Sequence, residues 1–211
     1  HGSDVASIGT TPPYDPATHR FNDGRCDHRG RFFVGSMNER RDAPSATLVR
    51  VDLDGTMTEA LAGMTISNGL AWSPDGRTMY HADTPTHTVR AFDYDPDTGV
   101  PSRPRVFAQW RGETDRPDGG AVDSAGNYWT AFYRGGKVLQ IAPSGETLAE
   151  YAIPAMCPTM CAFGGPDLKT LFVTTARQNR DDDELARLPH SGGLFAMRVD
   201  VPGLPETPFA G

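Results

Sequence analysis

Three short polar side chains stand at corresponding points of the sequence, each directly before a glycine or an Asp-Gly pair. They are Asn22, Asn68 and Asp118, and they are separated by 46 and 50 residues. Asparagine and aspartate before glycine are ordinary turn residues, so each one alone indicates only a turn. Three of them at a regular spacing favour a shared site instead. Two amide oxygens and a carboxylate are ligands that suit a hard divalent cation such as Ca²⁺, Mg²⁺ or Mn²⁺.

The same spacing recurs in the elements that would carry these residues. Apolar and aromatic runs flank tight turns at Gly30, Gly76 and Gly126, again 46 and 50 residues apart. Each hairpin is followed by a second one, and in the last repeat the second hairpin is predicted to begin at Leu194–Val199 and turn at Pro202–Gly203. Two hairpins in about 45 residues give four strands, which is the period of a β-propeller blade.

The repeats predict an all-β fold, a β-propeller with about four to four and a half blades in this chain. Since the innermost strand of each blade delivers side chains to the axis, the propeller would bring the three polar residues together. The predicted repeats lie near residues 20–64, 66–110, 117–155 and 159–211, within a single domain over residues 4–211. Residues 1–3 read as the remnant of an affinity tag.

Composition excludes several classes of partner. A net charge of −7 argues against nucleic acid, which binds to basic faces. No apolar run approaches the roughly 18 residues that a membrane helix needs, so we predict no membrane partner. The odd number of cysteines forms no disulfide framework, and Cys26, Cys157 and Cys161 are expected to be free thiols in a reducing, cytoplasmic compartment. Acids at the start of 181–188, with a proline after it, predict one short helix.

Several motifs resemble those of the senescence-marker-protein, or regucalcin-like, gluconolactonase family. The similarity runs in order from about Thr18 to Gly211. It includes the motifs RFNDG at 20–24, ISNGL at 66–70, WSPDG at 72–76, PDG at 117–119, VTTAR at 173–177 and GGLF at 192–195. The resemblance implies a propeller of the six-bladed lactonase type, which hydrolyses a small-molecule sugar lactone to the aldonic acid with one divalent metal (Ca, Zn, Mg or Mn).

The resemblance also implies roles for individual residues. Asn68 and Asp118 match the family's metal ligands, and Asp118 matches its general base. Arg20, Asn22 and Glu39 match residues that bind the substrate. The family's remaining metal ligand is a glutamate of the first blade, and the segment that would carry it is absent here. The first one to two blades are therefore expected to be missing, and the open blade edges predict a homo-oligomer.

Two other functions fit the same residues. A non-catalytic propeller fragment could bind a divalent cation or a partner without hydrolysing anything. A phosphotriesterase-like propeller could use a similar oxygen-rich calcium site on an organophosphate ester. The substrate that is turned over would distinguish these hypotheses from lactone hydrolysis.

Overall fold

The computed structural model describes residues 12–211, in which fifteen strands form four antiparallel sheets, here called blades 1 to 4 in chain order. Blade 1 contains β1 (His19–Cys26), β2 (Phe32–Asn38), β3 (Ala46–Val51) and β4 (Met57–Met64). Blade 2 contains β5 (Ser67–Trp72), β6 (Thr78–Asp83), β7 (Thr88–Asp95) and β8 (Val100–Gln109). Blade 3 contains β9 (Arg116–Val122), β10 (Tyr128–Tyr133), β11 (Lys137–Ile141) and β12 (Thr147–Ala152). Blade 4 contains β13 (Pro158–Gly164), β14 (Thr170–Thr175) and β15 (Leu194–Arg198). The predicted all-β propeller with about four blades is confirmed.

The tight turns predicted from Gly30 and Gly126 join the first two strands of blades 1 and 3. Both glycines have left-handed backbones, with φ of 80° and 87°, a conformation that a side chain would disfavour. Each donates its N–H to the carbonyl of the aspartate three residues earlier, Asp27 or Asp123, at 3.0 Å. The carboxylates of these aspartates also accept backbone N–H groups within the turn. The turns are thus closed by their own residues, which fixes the inner strand relative to its neighbour.

Apolar cores between neighbouring blades hold the inner strands side by side. Strand β1 packs on β5, β5 on β9, and β9 on β13. Aromatic side chains fill the interfaces: Trp72 packs edge-on against Phe33 of blade 1, and Trp129 packs edge-on against Phe163 of blade 4. Because a single blade cannot bury both faces of its sheet, stacking of the blades provides the core that each one lacks.

Blade 4 has three strands, so the prediction of a fourth strand after Pro202–Gly203 is wrong. Pro202, Pro205 and Pro208 lack the N–H groups that a strand would donate. The chain instead crosses to the other blades: Gly203 forms an isolated bridge with Asp123 of blade 3. Further along, Glu206 pairs with Arg25 at 3.3 Å, and the Ala210 N–H donates to the Gly30 carbonyl of blade 1 at 3.1 Å. The C-terminal segment therefore connects blades 3, 4 and 1.

The remaining regular elements are short. A 3₁₀ turn, Thr84–Thr86, follows β6, and the predicted helix is α1 (Asp182–Arg187). The Asp181 carboxylate caps this helix by accepting the N–H of Glu184 at 2.7 Å. In residues 12–211 neither helix has the length and apolar character that crossing a membrane requires. The three cysteines are free, as predicted, with Cys157 and Cys161 buried. The residues interpreted as a tag, 1–3, lie outside the described part of the chain.

Candidate active site

A cavity of about 540 Å³ opens where the four inner strands begin. All four blades contribute to its wall. Of the residues predicted to form the site, Arg20, Asn22, Asn68 and Asp118 line this cavity. The structure therefore brings these four side chains to one place, whereas Glu39 lies at the rim.

A β-bulge at the same point of each inner strand turns these side chains toward the cavity. The strand register shifts between Phe21 and Gly24 in β1 and between Asn68 and Ala71 in β5. Corresponding shifts occur at 117–120 in β9 and at 158–160 in β13. An extra residue in one strand breaks the alternation of side chains and re-aims them, which is why bulges are frequent at functional sites. The Asn-Asp-Gly, Asn-Gly and Asp-Gly motifs are the sequences of these bulges.

Hydrogen bonds fix the two asparagine amides. The Asn22 Nδ2 atom donates to Asn68 Oδ1 at 2.8 Å and to the Ser67 carbonyl at 3.0 Å. The Asn68 Nδ2 atom donates to Thr84 Oγ1 at 2.8 Å, and the Thr84 hydroxyl donates to the Pro117 carbonyl at 2.7 Å. This chain of bonds joins blades 1, 2 and 3. It leaves the amide oxygen of Asn68 with one further lone pair for a ligand.

Two carboxyl groups, Asp23 and Asp118, lie on the cavity wall without a basic side chain bonded to either one in residues 12–211. Burial raises the pKa of Asp23, although N–H groups such as that of Leu70, 3.1 Å from Oδ2, and the charge of Arg25 oppose the increase. Burial raises the pKa of Asp118 well above its usual range, and the negative charge of Asp23 adds to this effect. Two carboxylates in one cavity disfavour each other's ionised form, and a cation bound near them would offset this repulsion.

The oxygen atoms that line the cavity suit a hard divalent cation whose remaining ligands would be water or substrate. The Asp118 carboxylate and the Asn68 amide oxygen are oxygen ligands, and the carboxylate of Asp23 adds negative charge to the same cavity. In the part of the chain that the structure describes, no group of three or more His, Cys, Asp or Glu side chains is arranged around one point. An all-protein cage of the kind that holds structural zinc is therefore absent from residues 12–211.

Two of the three residues predicted to bind the substrate, Arg20 and Glu39, form an ion pair at the rim. Arg20 Nε lies 3.2 Å from Glu39 Oε1, and both side chains are about half exposed (54% and 53%). A second nitrogen of Arg20 donates to the Phe21 carbonyl at 2.9 Å. These two contacts fix the guanidinium at the cavity wall, and because the side chain is about half exposed, some of its N–H groups face solvent.

His81 and Asp83 support the strand that carries Asn68. The Nε2 atom of His81 and the Ser67 hydroxyl are 2.7 Å apart, and both residues are buried. The Asp83 carboxylate accepts the N–H groups of Thr65 and Ile66 at 3.2 and 3.0 Å. These contacts fix the start of β5, so the two residues position the site rather than line it.

Several cavity residues lie outside the predicted set. Asp23 follows Asn22 within the same bulge. The repeating pattern assigns one polar residue to each blade, so it does not predict Asp23. Arg41, Arg116 and Tyr133 also line the cavity. Arg116 stands two residues before Asp118, and this position in the motif is a sequence signal for it. Arg41 lies in a loop after β2, and nothing in the local sequence indicates that this loop reaches the cavity.

Comparison with known proteins agrees with this architecture. The model of the SMP-30/gluconolactonase/LRE-like region matches residues 4–177. The chain belongs to this family. The 6-deoxy-6-sulfogluconolactonase of Pseudomonas putida is 47% identical over 193 residues, which cover 91% of this chain and 66% of the relative. Regucalcin of Gallus gallus is 36% identical over 204 residues, covering 93% of this chain and 68% of the relative.

Among solved structures, the calcium-binding protein regucalcin of Agrobacterium tumefaciens superposes with a TM-score of 0.87 at 31% identity. The match covers 92% of this chain and 66% of that one. The family resemblance inferred from the motifs is thus confirmed. The chain spans about two thirds of the length of the curated relatives that it matches.

Proposed function

We propose that this protein hydrolyses a sugar lactone to the corresponding aldonic acid. The observation that carries the proposal is the convergence of Asn22, Asn68 and Asp118, from three successive blades, in one cavity. About 540 Å³ lies within the range of roughly 300–1,000 Å³ that small-molecule sites occupy. The relatives named as lactonases support this substrate class, and the free thiols are compatible with a cytoplasmic protein.

We propose that the Asp118 carboxylate and the amide oxygen of Asn68 would hold a divalent metal. Oxygen ligands favour Ca²⁺, Mg²⁺ or Mn²⁺ over softer ions, although Zn²⁺ also accepts carboxylate oxygen. When bound, such an ion supplies Lewis-acid stabilisation of the negative charge that develops on the lactone carbonyl oxygen. Burial and the charge of Asp23 disfavour the ionised form of Asp118 and raise its pKa, and a bound cation would offset this cost by favouring the carboxylate.

The chain's own residues then orient the reactants and move one proton. The Asp118 carboxylate accepts a proton from the attacking water, whose oxygen forms a bond to the carbonyl carbon. The ring C–O bond breaks, and the proton passes to the departing alkoxide oxygen, so that lactone and water give the hydroxy acid. Arg20 donates hydrogen bonds to hydroxyl oxygens of the sugar, and Glu39 holds Arg20 in place through their ion pair. The two N–H bonds of the Asn22 amide are used on Asn68 and Ser67, so Asn22 contacts the sugar through Oδ1, which accepts a hydrogen bond from a sugar hydroxyl.

A panel of substrates and ions tests the proposal. The chain is stripped of metal with a chelator and is then assayed with Ca²⁺, Mg²⁺, Mn²⁺ or Zn²⁺ on an aldonolactone and on a phosphotriester. We expect lactone hydrolysis to disappear on stripping and to return with at least one ion. Faster turnover of the phosphotriester would favour the phosphotriesterase alternative. Calorimetric binding of the ion without turnover of either ester would favour the non-catalytic alternative and overturn the proposal.

A further inference from the structure

The cavity carries positive charge at its edge that the proposed hydrolysis does not require. Besides Arg20, the side chains of Arg41 and Arg116 line it. Arg20 is paired with Glu39, whereas in residues 12–211 neither Arg41 nor Arg116 has a carboxylate within salt-bridge distance. These two residues are called the arginine pair below.

The backbone on each side of the cavity holds the arginine pair in place. Arg41 ends a turn in which its backbone N–H donates to both the side-chain oxygen and the carbonyl of Asn38, at 3.2 and 3.1 Å. Asn38 is buried and also donates to Asp42 Oδ1 at 2.8 Å, so this turn is closed by side chains as well as by backbone. Arg116 is the first residue of β9, and its Nε donates to the Glu113 carbonyl at 3.1 Å. Its terminal nitrogens make no hydrogen bond within residues 12–211, so they can donate to a ligand.

Tyr133 lies on the same cavity wall as the arginine pair. It faces Arg116 across the β9–β10 ladder and lines the same cavity. Burial raises the pKa of the Tyr133 phenol, while the positive charges of Arg180 and Arg41 oppose the increase. Arg41 thus acts electrostatically on a tyrosine that pairs with Arg116 in the strand ladder. The carboxyl groups of Asp23 and Asp118 supply negative charge in the same cavity, so one space contains both a cation-attracting and an anion-attracting region.

We propose that Arg41 and Arg116 form an anion subsite for a tetrahedral oxyanion, a sulfonate or a phosphate ester, on the sugar lactone. The inference rests on the proposed function, since it assigns the substrate class of that same site. If the lactone carbonyl lies near Asp118, the substituent at the opposite end of the sugar reaches the rim. There two guanidinium groups can donate several N–H bonds to the three oxygens of a sulfonate or phosphate group. Planar guanidinium forks match phosphate and sulfonate oxygens well.

The test compares charged and neutral lactones on wild type and on Arg41→Gln, Arg116→Gln and the double variant. The substrates are gluconolactone, 6-phosphogluconolactone and 6-deoxy-6-sulfogluconolactone, which separate the phosphate from the sulfonate. The quantity measured is the ratio of kcat/KM for a charged lactone to kcat/KM for the neutral one. A hydrogen bond to a charged group contributes enough for about a tenfold fall in this ratio per arginine. Arg77→Gln, an exposed arginine in the turn at the other end of β5, is the matched control and should leave the ratio within twofold.

A second readout does not depend on turnover. Calorimetry with glucitol 6-phosphate and with neutral glucitol should show tighter binding of the phosphate, lost in the double variant and weakened by salt. Hydrolysis of gluconolactone with no preference for either charged lactone would overturn the anion subsite and leave the lactonase proposal standing. Arginine-dependent binding of glucitol 6-phosphate without hydrolysis of any lactone would overturn the lactonase proposal alone. Circular dichroism of each variant verifies that the fold is retained.

Discussion

Acidification should weaken the support of β5 through one buried imidazole. His81 is 2% exposed in the middle of β6, and its Nε2 lies 2.7 Å from the Ser67 hydroxyl. Burial, together with the positive charge of Arg90, lowers the pKa of His81 from 6.5 to about 4. The unfolded chain therefore binds this proton near pH 6.5, whereas the folded chain binds it only near pH 4. The contribution of His81 to the free energy of unfolding is complete above pH 6.5 and is lost as the pH falls toward 4.

The size of the effect follows from the two pKa values. One pKa unit corresponds to about 1.4 kcal/mol, so the difference between 6.5 and about 4 amounts to about 3 kcal/mol when the pH reaches 4. At pH 5 the expected loss is about 2 kcal/mol. Asp23, Asp83 and Asp118 act in the opposite direction, because their raised pKa values make the folded chain bind protons more readily than the unfolded chain. The effect of His81 must therefore be measured as a difference between two proteins that share these acids.

Urea denaturation of wild type and His81→Gln between pH 7 and pH 4.5 gives that difference. Glutamine can still bond to the Ser67 hydroxyl but does not titrate in this range. We expect the stability of wild type relative to the variant to fall by about 2 kcal/mol between pH 7 and pH 5. Two stability curves that run parallel across this range would refute the assignment of a buried, neutral His81.

Three further changes test other parts of the structure. Asp27→Asn leaves the buried guanidinium of Arg31 without its carboxylate partner, so urea denaturation should show a loss of about 3–5 kcal/mol, and a loss below about 1 kcal/mol would contradict this role. Thr84→Val removes the acceptor that orients the Asn68 amide, so calorimetry should show weaker cation binding; unchanged affinity would show that the amide needs no such support. Leu194 is 64% exposed on β15, whose only ladder partner in residues 12–211 is β14, so we expect association through this edge. Light scattering should show an oligomer that Leu194→Lys reduces, and a wild-type monomer would contradict the expectation.

The repeating fold could be predicted because its signal is local and occurs several times. The Asp-x-x-Gly spacing predicts the turns at Gly30 and Gly126, and the alternation of apolar residues beside them predicts the strands. The end of the chain was predicted incorrectly, since Pro202–Gly203 resembles a hairpin turn as well. Whether a segment pairs locally or crosses to other blades depends on distant partners such as Asp123 and Arg25. No local pattern contains that information.

Some residues of the candidate site could be predicted from local sequence and others could not. Asn68 and Asp118 were predictable because the bulge motifs place one polar residue at the same depth of successive blades. The contribution of Asp23 depends on the extra residue of the β1 bulge, which the alternation of side chains does not reveal. Arg41 lines the cavity because of the path of its loop, and Tyr133, which lines the same cavity, is 92 positions away in the sequence. Such juxtapositions come from the closure of the blades around an axis.

The central claim is that Asp118 acts both as a metal ligand and as the base in lactone hydrolysis. The most direct measurement is the turnover of an aldonolactone by wild type and Asp118→Asn, with binding of the same divalent ion followed by calorimetry. Asparagine keeps an oxygen ligand but removes the charge and the proton acceptor, so we predict that turnover is lost while ion binding is only weakened. Asp54→Asn, in an exposed turn, is the control and should retain full turnover. Wild-type turnover in Asp118→Asn would contradict the account.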